Sequence, residues 1–157
     1  KVGFSIYNVE QLNYLLDNKV DFDIIQFPYN IFDRQFEPFL PLLHEKGIEV
    51  HTRSAFLQGL FFRQLDSIND HLLPLKKYLF ELHSYCESQN ISIEDLSLNY
   101  VLNNEFIDGV LIGVDNSQQL RNNIDAAKKR IRQQDIDFVN SIKVFETELL
   151  NPVNWNK

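Results

Sequence analysis

Apolar positions recur along this chain with two periods, and the changes between them mark out strands and helices. Val2 to Tyr7 alternates small and apolar residues, which predicts a strand, and Asn8 then offers an N-cap to VEQLNYLLDN. Val9, Leu12, Leu15 and Leu16 share one face of that helix. Phe22 to Phe27 is a nearly continuous apolar run, the pattern of a strand covered on both faces, broken at Pro28. A helical segment carrying Phe36, Phe39, Leu40 and Leu43 follows, and Gly47 supplies its stop.

A third strand spans about Glu49 to Ser54 and leads into FLQGLFF, an apolar turn broken by glycine. After a polar connection at Asp66 to Asp70, a long helix is expected from about His71 to Glu87, with Leu72, Leu75, Leu79 and Leu82 on one face. Ser92 with Asp95 approximates a capping box and opens a helix through Leu102. Asp108 to Gly113 reads as a fourth strand. Asn116, with Gln119 three residues on, caps the helix QQLRNNIDAAKKRI, and a last helix is expected over Ile136 to Leu149.

Four strands, each followed by helix, define a single α/β domain over residues 1–157 with a parallel sheet, because parallel neighbours need crossover connections. That is half the complement of an eight-stranded (β/α)8 (TIM) barrel, with an open four-stranded parallel sheet as the alternative. A half-barrel would leave two open strand edges and an apolar inner face, so self-association through those edges is expected.

The composition suits a packed domain: 44% of residues are hydrophobic and 13% aromatic. A formal net charge of −7 disfavours a nucleic acid or an anionic membrane surface as partner. The run Lys128, Lys129, Arg130 and Arg132 closes a helix, where cations suit the negative end of the dipole. One cysteine, Cys86, excludes an internal disulfide and suits a reducing compartment, so a cytoplasmic location is expected. With no methionine and a first residue already in a strand pattern, the chain reads as a fragment of something longer.

Parallel α/β units place their working groups at the carboxyl ends of strands. Polar residues stand there: Ser5 and Gln26 in otherwise apolar strands, then Arg53 and Ser54. GVDNSQQLRNN sets a glycine turn and a helix N-terminus after the fourth strand, which favours an anion, and Gln119, Asn122 and Asn123 share a helical face. Plain capping, a core hydrogen-bond network or an ion pair at Arg53 would account for the same residues. The histidines lack partners at metal-ligand spacing, His51 fits the core, and no metal site or complete catalytic set is apparent.

Taken together, GFSIY, IIQFPYNIFDR, VHTRSAFLQGL and FIDGVLIGVDNSQQLRNNI resemble the carboxyl-terminal half of an aldo/keto reductase, in order and across essentially the whole chain. The resemblance implies the last four βα units of a (β/α)8 barrel that binds NAD(P)H in extended form and reduces an aldehyde or ketone. It makes Ser5 and Gln26 partners of the nicotinamide carboxamide and sets Arg53 against the nicotinamide ring. Ser54 with Phe56, Leu57, Gln58 and Gly59 would follow the pyrophosphate, and Gly113, Asp115, Gln119, Asn122 and Asn123 would surround the adenosine end.

Three positions depart from the family pattern. Ile6 replaces a polar residue that grips the carboxamide. Arg53 replaces an aromatic, so stacking would be of the cation-to-π kind. Asp115 stands where a small hydroxyl residue often meets the 2′-phosphate of NADPH, which predicts a preference for NADH unless Arg121 compensates. The resemblance places the catalytic tyrosine, lysine, aspartate and histidine before this chain begins, so the chain alone is expected to be inactive. A non-catalytic nucleotide-binding module of half-barrel form is the competing reading.

Overall fold

The computed structural model describes residues 1–155. Strands β1 (Gly3–Ser5), β2 (Ile24–Pro28), β3 (Glu49–Arg53) and β4 (Gly109–Val110) form one sheet in sequential order, every pair parallel. Helices α1 (Val9–Asp17) and α2 (Leu40–Glu45) carry the first two crossovers. The third holds α3 (Lys76–Gln89) and α4 (Ile93–Leu102), and α5 (Ser117–Ala127) and α6 (Gln133–Ser141) follow β4. A parallel sheet wound by helices in this order is a (β/α) barrel-type arrangement.

Both edge strands are shorter than the sequence pattern suggests. Each pairs on one side only, and the ladder at β4 closes with the Leu111 amide on the Thr52 carbonyl at 2.7 Å. The inner strands are also less enclosed than β2 promises. In β2 and β3, Ile25, Phe27, Val50 and Thr52 are buried while Ile24, Gln26, Glu49, His51 and Arg53 are half-buried. The helices therefore cover one face alone, and burial alternates with the pleat.

The open face is polar, which corrects the expectation of an apolar inner surface. The register aligns Ser5, Gln26, His51 and Gly109 in a row across the sheet. His51 is not core: its Nε2 lies 2.8 Å from Glu49 Oε1, and Lys1 pairs with the other Glu49 oxygen. Hydrogen bonds from Lys1 and His51 hold the Glu49 carboxyl below its ordinary pKa. A Cβ at Gly109 would sit 3.0 Å from the His51 ring, so glycine there gives the imidazole its place.

Two helical expectations change. Pro74 lacks an N–H donor, and the chain from Asp70 to Leu75 is a tighter 3₁₀ stretch before α3 begins at Lys76. The last helix ends at Ser141 rather than Leu149, and Thr147–Leu150 and Pro152–Asn154 turn again as 3₁₀. Arg34 explains the stop: its guanidinium donates to Asn140 Oδ1 at 3.1 Å and to the Ile142 carbonyl, holding the backbone extended there.

The covered face carries the core. Phe27 stacks on Phe36 with ring centroids 4.2 Å apart, and Phe32 meets Phe61 edge-on at 4.9 Å. Tyr29 donates to Glu37 at 2.8 Å, and the Tyr100 hydroxyl lies 3.0 Å from Asn140 Oδ1, so polar groups tie the loop after β2 to α4 and α6. Cys86 is buried, and burial pushes its thiol up to about 12, which leaves it inert.

Candidate functional site

Ser5, Gln26, Arg53 and Ser54 stand at or just past the carboxyl ends of β1, β2 and β3, and of these Ser5 and Gln26 meet directly. Ser5 and Gln26 are register partners, with Oγ to Oε1 at 3.4 Å, on the open face. Arg53 shares their pleat direction. It reaches across the end of β2, donates to the Ile6 carbonyl at 3.1 Å, and sets its guanidinium carbon 4.3 Å from the Tyr7 ring centroid.

After β3 the backbone is strained. Ser54, Leu57 and Gln58 adopt φ of 64°, 45° and 53°, and Gly59 follows at 76°. Left-handed conformations in residues with a Cβ cost roughly 1 kcal/mol or more each and persist only where surroundings enforce them. The enforcement is visible. Ala55, Leu57, Leu60 and Phe61 are buried, which anchors the turn from beneath. The Ser54 carbonyl accepts from the Leu57 amide at 2.9 Å and from Asn30 Nδ2 at 3.1 Å. Phe56, at φ −109° and ψ 11°, precedes left-handed Leu57, the backbone order of an anion-binding nest.

Asn30 is the residue the sequence pattern passes over. It is fully buried in the loop after β2, where Oδ1 accepts from the Phe32 and Asp33 amides at 2.9 Å while its amide nitrogen binds Ser54. One side chain thus shapes its own turn and fixes the neighbouring strained loop. Its signal was an asparagine three residues before an aspartate after a strand, the local form of an Asx turn. Asp33 is also buried; burial raises its carboxyl to about 6, against the lowering effect of the Gln35 amide, which donates at 3.0 Å.

The second group follows β4. Asn116 Oδ1 accepts from the Gln119 amide at 2.9 Å, and Gln119 Oε1 accepts from the Asp115 amide at 2.7 Å. Gln119 is therefore part of a reciprocal cap, its carbonyl committed and its nitrogen left to point outward. Asn123, one turn on, is buried on α5. Asn122 does not join them: its Oδ1 accepts from Gln118 at 2.9 Å on the exposed side. Gly113, Asp115 and Arg121 are exposed. Because Val110 pairs with Thr52, this group starts beside the strand that ends in Arg53 and Ser54.

The basic run after α5 is largely paired. Lys128 meets Asp125 at 2.8 Å, Lys129 meets Asp95 at 2.6 Å, and Arg132 meets Asp135 at 2.7 Å. No described helix is long and apolar enough to cross a membrane.

A parallel sheet with a strained, amide-rich set of strand ends defines a barrel-type protein whose polar groups gather on one rim. The family model of the aldo/keto reductase family matches residues 1–144, and the chain belongs to that family. It is an oxidoreductase family by its relatives. YqkF of Bacillus subtilis (strain 168), described as an uncharacterized oxidoreductase, is 29% identical over 130 residues, covering 74% of this chain and 42% of that protein. L-galactose dehydrogenase of Arabidopsis thaliana is 28% identical over 130 residues, 80% of this chain and 41% of that protein.

Among solved structures, the aldo-keto reductase AKR11C1 from Bacillus halodurans superimposes with a TM-score of 0.71 in its apo form. The match has 20% identity and covers 90% of this chain and 52% of that one. At that identity the likeness speaks for the fold. The holo form of the same protein matches with a TM-score of 0.70. The chain spans half the length of these relatives or slightly less.

Proposed function

We propose that this chain is the cofactor-binding part of an NAD(P)H-dependent aldo/keto reductase, formed as the last four βα units of the barrel. Ser5 and Gln26 would take the nicotinamide carboxamide, Arg53 the ring, and Ser54 with Phe56 to Gly59 the pyrophosphate. Gly113, Asp115, Gln119 and Asn123 would meet the adenosine end. Asn122, turned to Gln118, would contribute least. The bound cofactor supplies a hydride for an aldehyde or ketone; this chain's own residues bind and orient it.

One observation carries the reading. The loop from Ser54 to Gly59 holds three non-glycine residues in left-handed backbone, and buried Asn30 pins its start at the carboxyl end of β3. Strain fixed in place by a dedicated side chain suits a pre-formed anion cradle better than a connecting loop. The residue types fit the group: an amide and a hydroxyl for a carboxamide, a nest for a pyrophosphate, and amides on α5 for a heterocycle edge.

Titrating the chain with NADH and NADPH, following enhancement of nicotinamide fluorescence, tests this. Saturable binding is expected, weakened at least about tenfold by Asn30→Ala, which frees the Ser54 carbonyl. Absence of binding to either cofactor would overturn the reading. Asp115, exposed at the start of the α5 cap, should favour NADH, since a carboxylate repels a 2′-phosphate and accepts from a ribose hydroxyl. Asp115→Ser should then raise NADPH affinity.

By itself the chain should bind the cofactor and not reduce a carbonyl. A cytoplasmic location is part of the same proposal, since the chain's one cysteine, Cys86, is unpaired and buried. A nucleotide-binding regulatory module would share the binding behaviour and would stay inactive in the complete protein too.

A further inference from the structure

Arg53 is a cation at the carboxyl end of β3. Its side chain shares the pleat direction of Ser5 and Gln26, one step further along the strands, on the sheet face that no helix covers. Among the described residues no carboxylate comes within ion-pair distance of it. Instead it is held by a carbonyl and a ring: the Ile6 oxygen at 3.1 Å and the Tyr7 ring at 4.3 Å.

Tyr7 is itself fixed, because its backbone amide donates to Gln11 Oε1 at 2.7 Å in the cap of α1. Held against Tyr7, the guanidinium sets a positive charge beside whatever occupies the open side of the strand ends.

We propose that Arg53, positioned by Tyr7, makes this site discriminate between the oxidation states of the nicotinamide, favouring the reduced form. This rests on the nicotinamide placement above and goes beyond it. The reduced dihydropyridine ring is neutral and electron-rich, so it accepts a guanidinium against its face. The oxidised ring carries a full positive charge on the pyridinium, so the same contact is repulsive. A like-charge contact at stacking distance on a half-exposed surface corresponds to roughly a tenfold difference in affinity. The consequence is directional: product cofactor leaves more easily than reduced cofactor binds, which suits reduction of a carbonyl over the reverse reaction.

Tyr7 acts here as a positioning residue. Removing its ring frees the guanidinium to swing into solvent, and the discrimination should fade although Arg53 is intact.

The experiment measures dissociation constants for NADH directly and for NAD⁺ by competition, on the chain and three variants. Arg53→Met keeps bulk and removes charge, and should bring the NAD⁺-to-NADH ratio of dissociation constants down about tenfold. Tyr7→Ala should lower it by a large part of that, while Tyr7→Phe retains the original ratio. Raising ionic strength should compress the ratio in the unaltered chain and leave it unchanged in Arg53→Met.

If the unaltered chain binds neither form, the dinucleotide reading fails and takes this inference with it. If it binds and the ratio is the same in Arg53→Met, only this inference is overturned. Should Arg53→Met fail to fold, Tyr7→Ala at a half-exposed residue carries the same test, and an unchanged ratio there overturns the positioning role.

Discussion

At the scale of single residues, buried polar groups divide into those with partners and those without. Asp33 has partners, yet burial still raises its carboxyl to about 6. The sign of its pH effect follows. Below about pH 3 the group is neutral in folded and unfolded chains and its titration costs nothing. As pH rises from there through 6, the unfolded chain releases its proton before the folded one, so stability falls, levelling off above 6. Asp33→Asn, a neutral stand-in, should remove that loss. The two proteins should match near about pH 3, and the variant should be about 2–3 kcal/mol more stable at about pH 7.5, read from urea unfolding at each pH.

Thr52 and Ser97 are the opposite case, buried with hydroxyl oxygens that meet no partner. An unsatisfied hydroxyl costs roughly 1 kcal/mol or more, and valine has nearly the shape of threonine. Thr52→Val should therefore raise the thermal midpoint, by an amount corresponding to about 1 kcal/mol. A lowered midpoint would mean that Thr52 has an aqueous partner.

At the scale of elements, α1 and α5 start with the same device. Asn8 and Gln11 at one, Asn116 and Gln119 at the other, place an asparagine at the cap and a glutamine three residues on. In both cases the glutamine carbonyl accepts the amide of the residue before the cap, Tyr7 or Asp115. That much could be read from spacing, and so could the sequential parallel strands and the polar residues at their carboxyl ends. Spacing could not show that Arg34 would stop the final helix, since its two acceptors lie more than 100 residues away. Nor could it show Asn30 holding Ser54, or the polarity of the open face, because a period of two says that faces differ without saying which one meets helices.

The start of α6 depends on a similarly distant arrangement. Asp135 is buried, accepts from the Arg132 guanidinium at 2.7 and 2.8 Å and from the Tyr85 hydroxyl at 2.8 Å, and hydrogen bonds from Arg132 hold its carboxyl below the ordinary range. Removing one member of such a set leaves the others unpaired. Asp135→Ala should cost about 2–4 kcal/mol, seen as a lowered urea midpoint with early loss of helical ellipticity.

At the scale of the whole molecule, several of the large hydrophobic side chains left in water flank the two ends of the sheet. Val2, Phe4, Tyr7 and Tyr14 lie on or beside β1, and Leu111, Val114, Leu120 and Ile124 follow β4 and line α5. The outer edges of β1 and β4 also carry backbone groups that no strand of this sheet pairs. Unpaired edges flanked by apolar helix faces invite further parallel strands, and eight strands are what a closed barrel of this kind holds.

Under the half-barrel proposal further strands would fill that space; alone, the chain should associate with itself. Light scattering across a concentration series should show mass increasing with concentration. Phe4→Lys on one edge, or Leu120→Lys with Ile124→Lys on the other, should shift the distribution toward monomer, because a charge at an edge opposes strand addition while leaving the covered core untouched. The double substitution on α5 is the stronger test, since both side chains are about half exposed and their loss should not unfold the chain. A monodisperse monomer before any substitution would show that these edges are tolerated in water, and the four-stranded sheet would then have to be regarded as a self-sufficient fold.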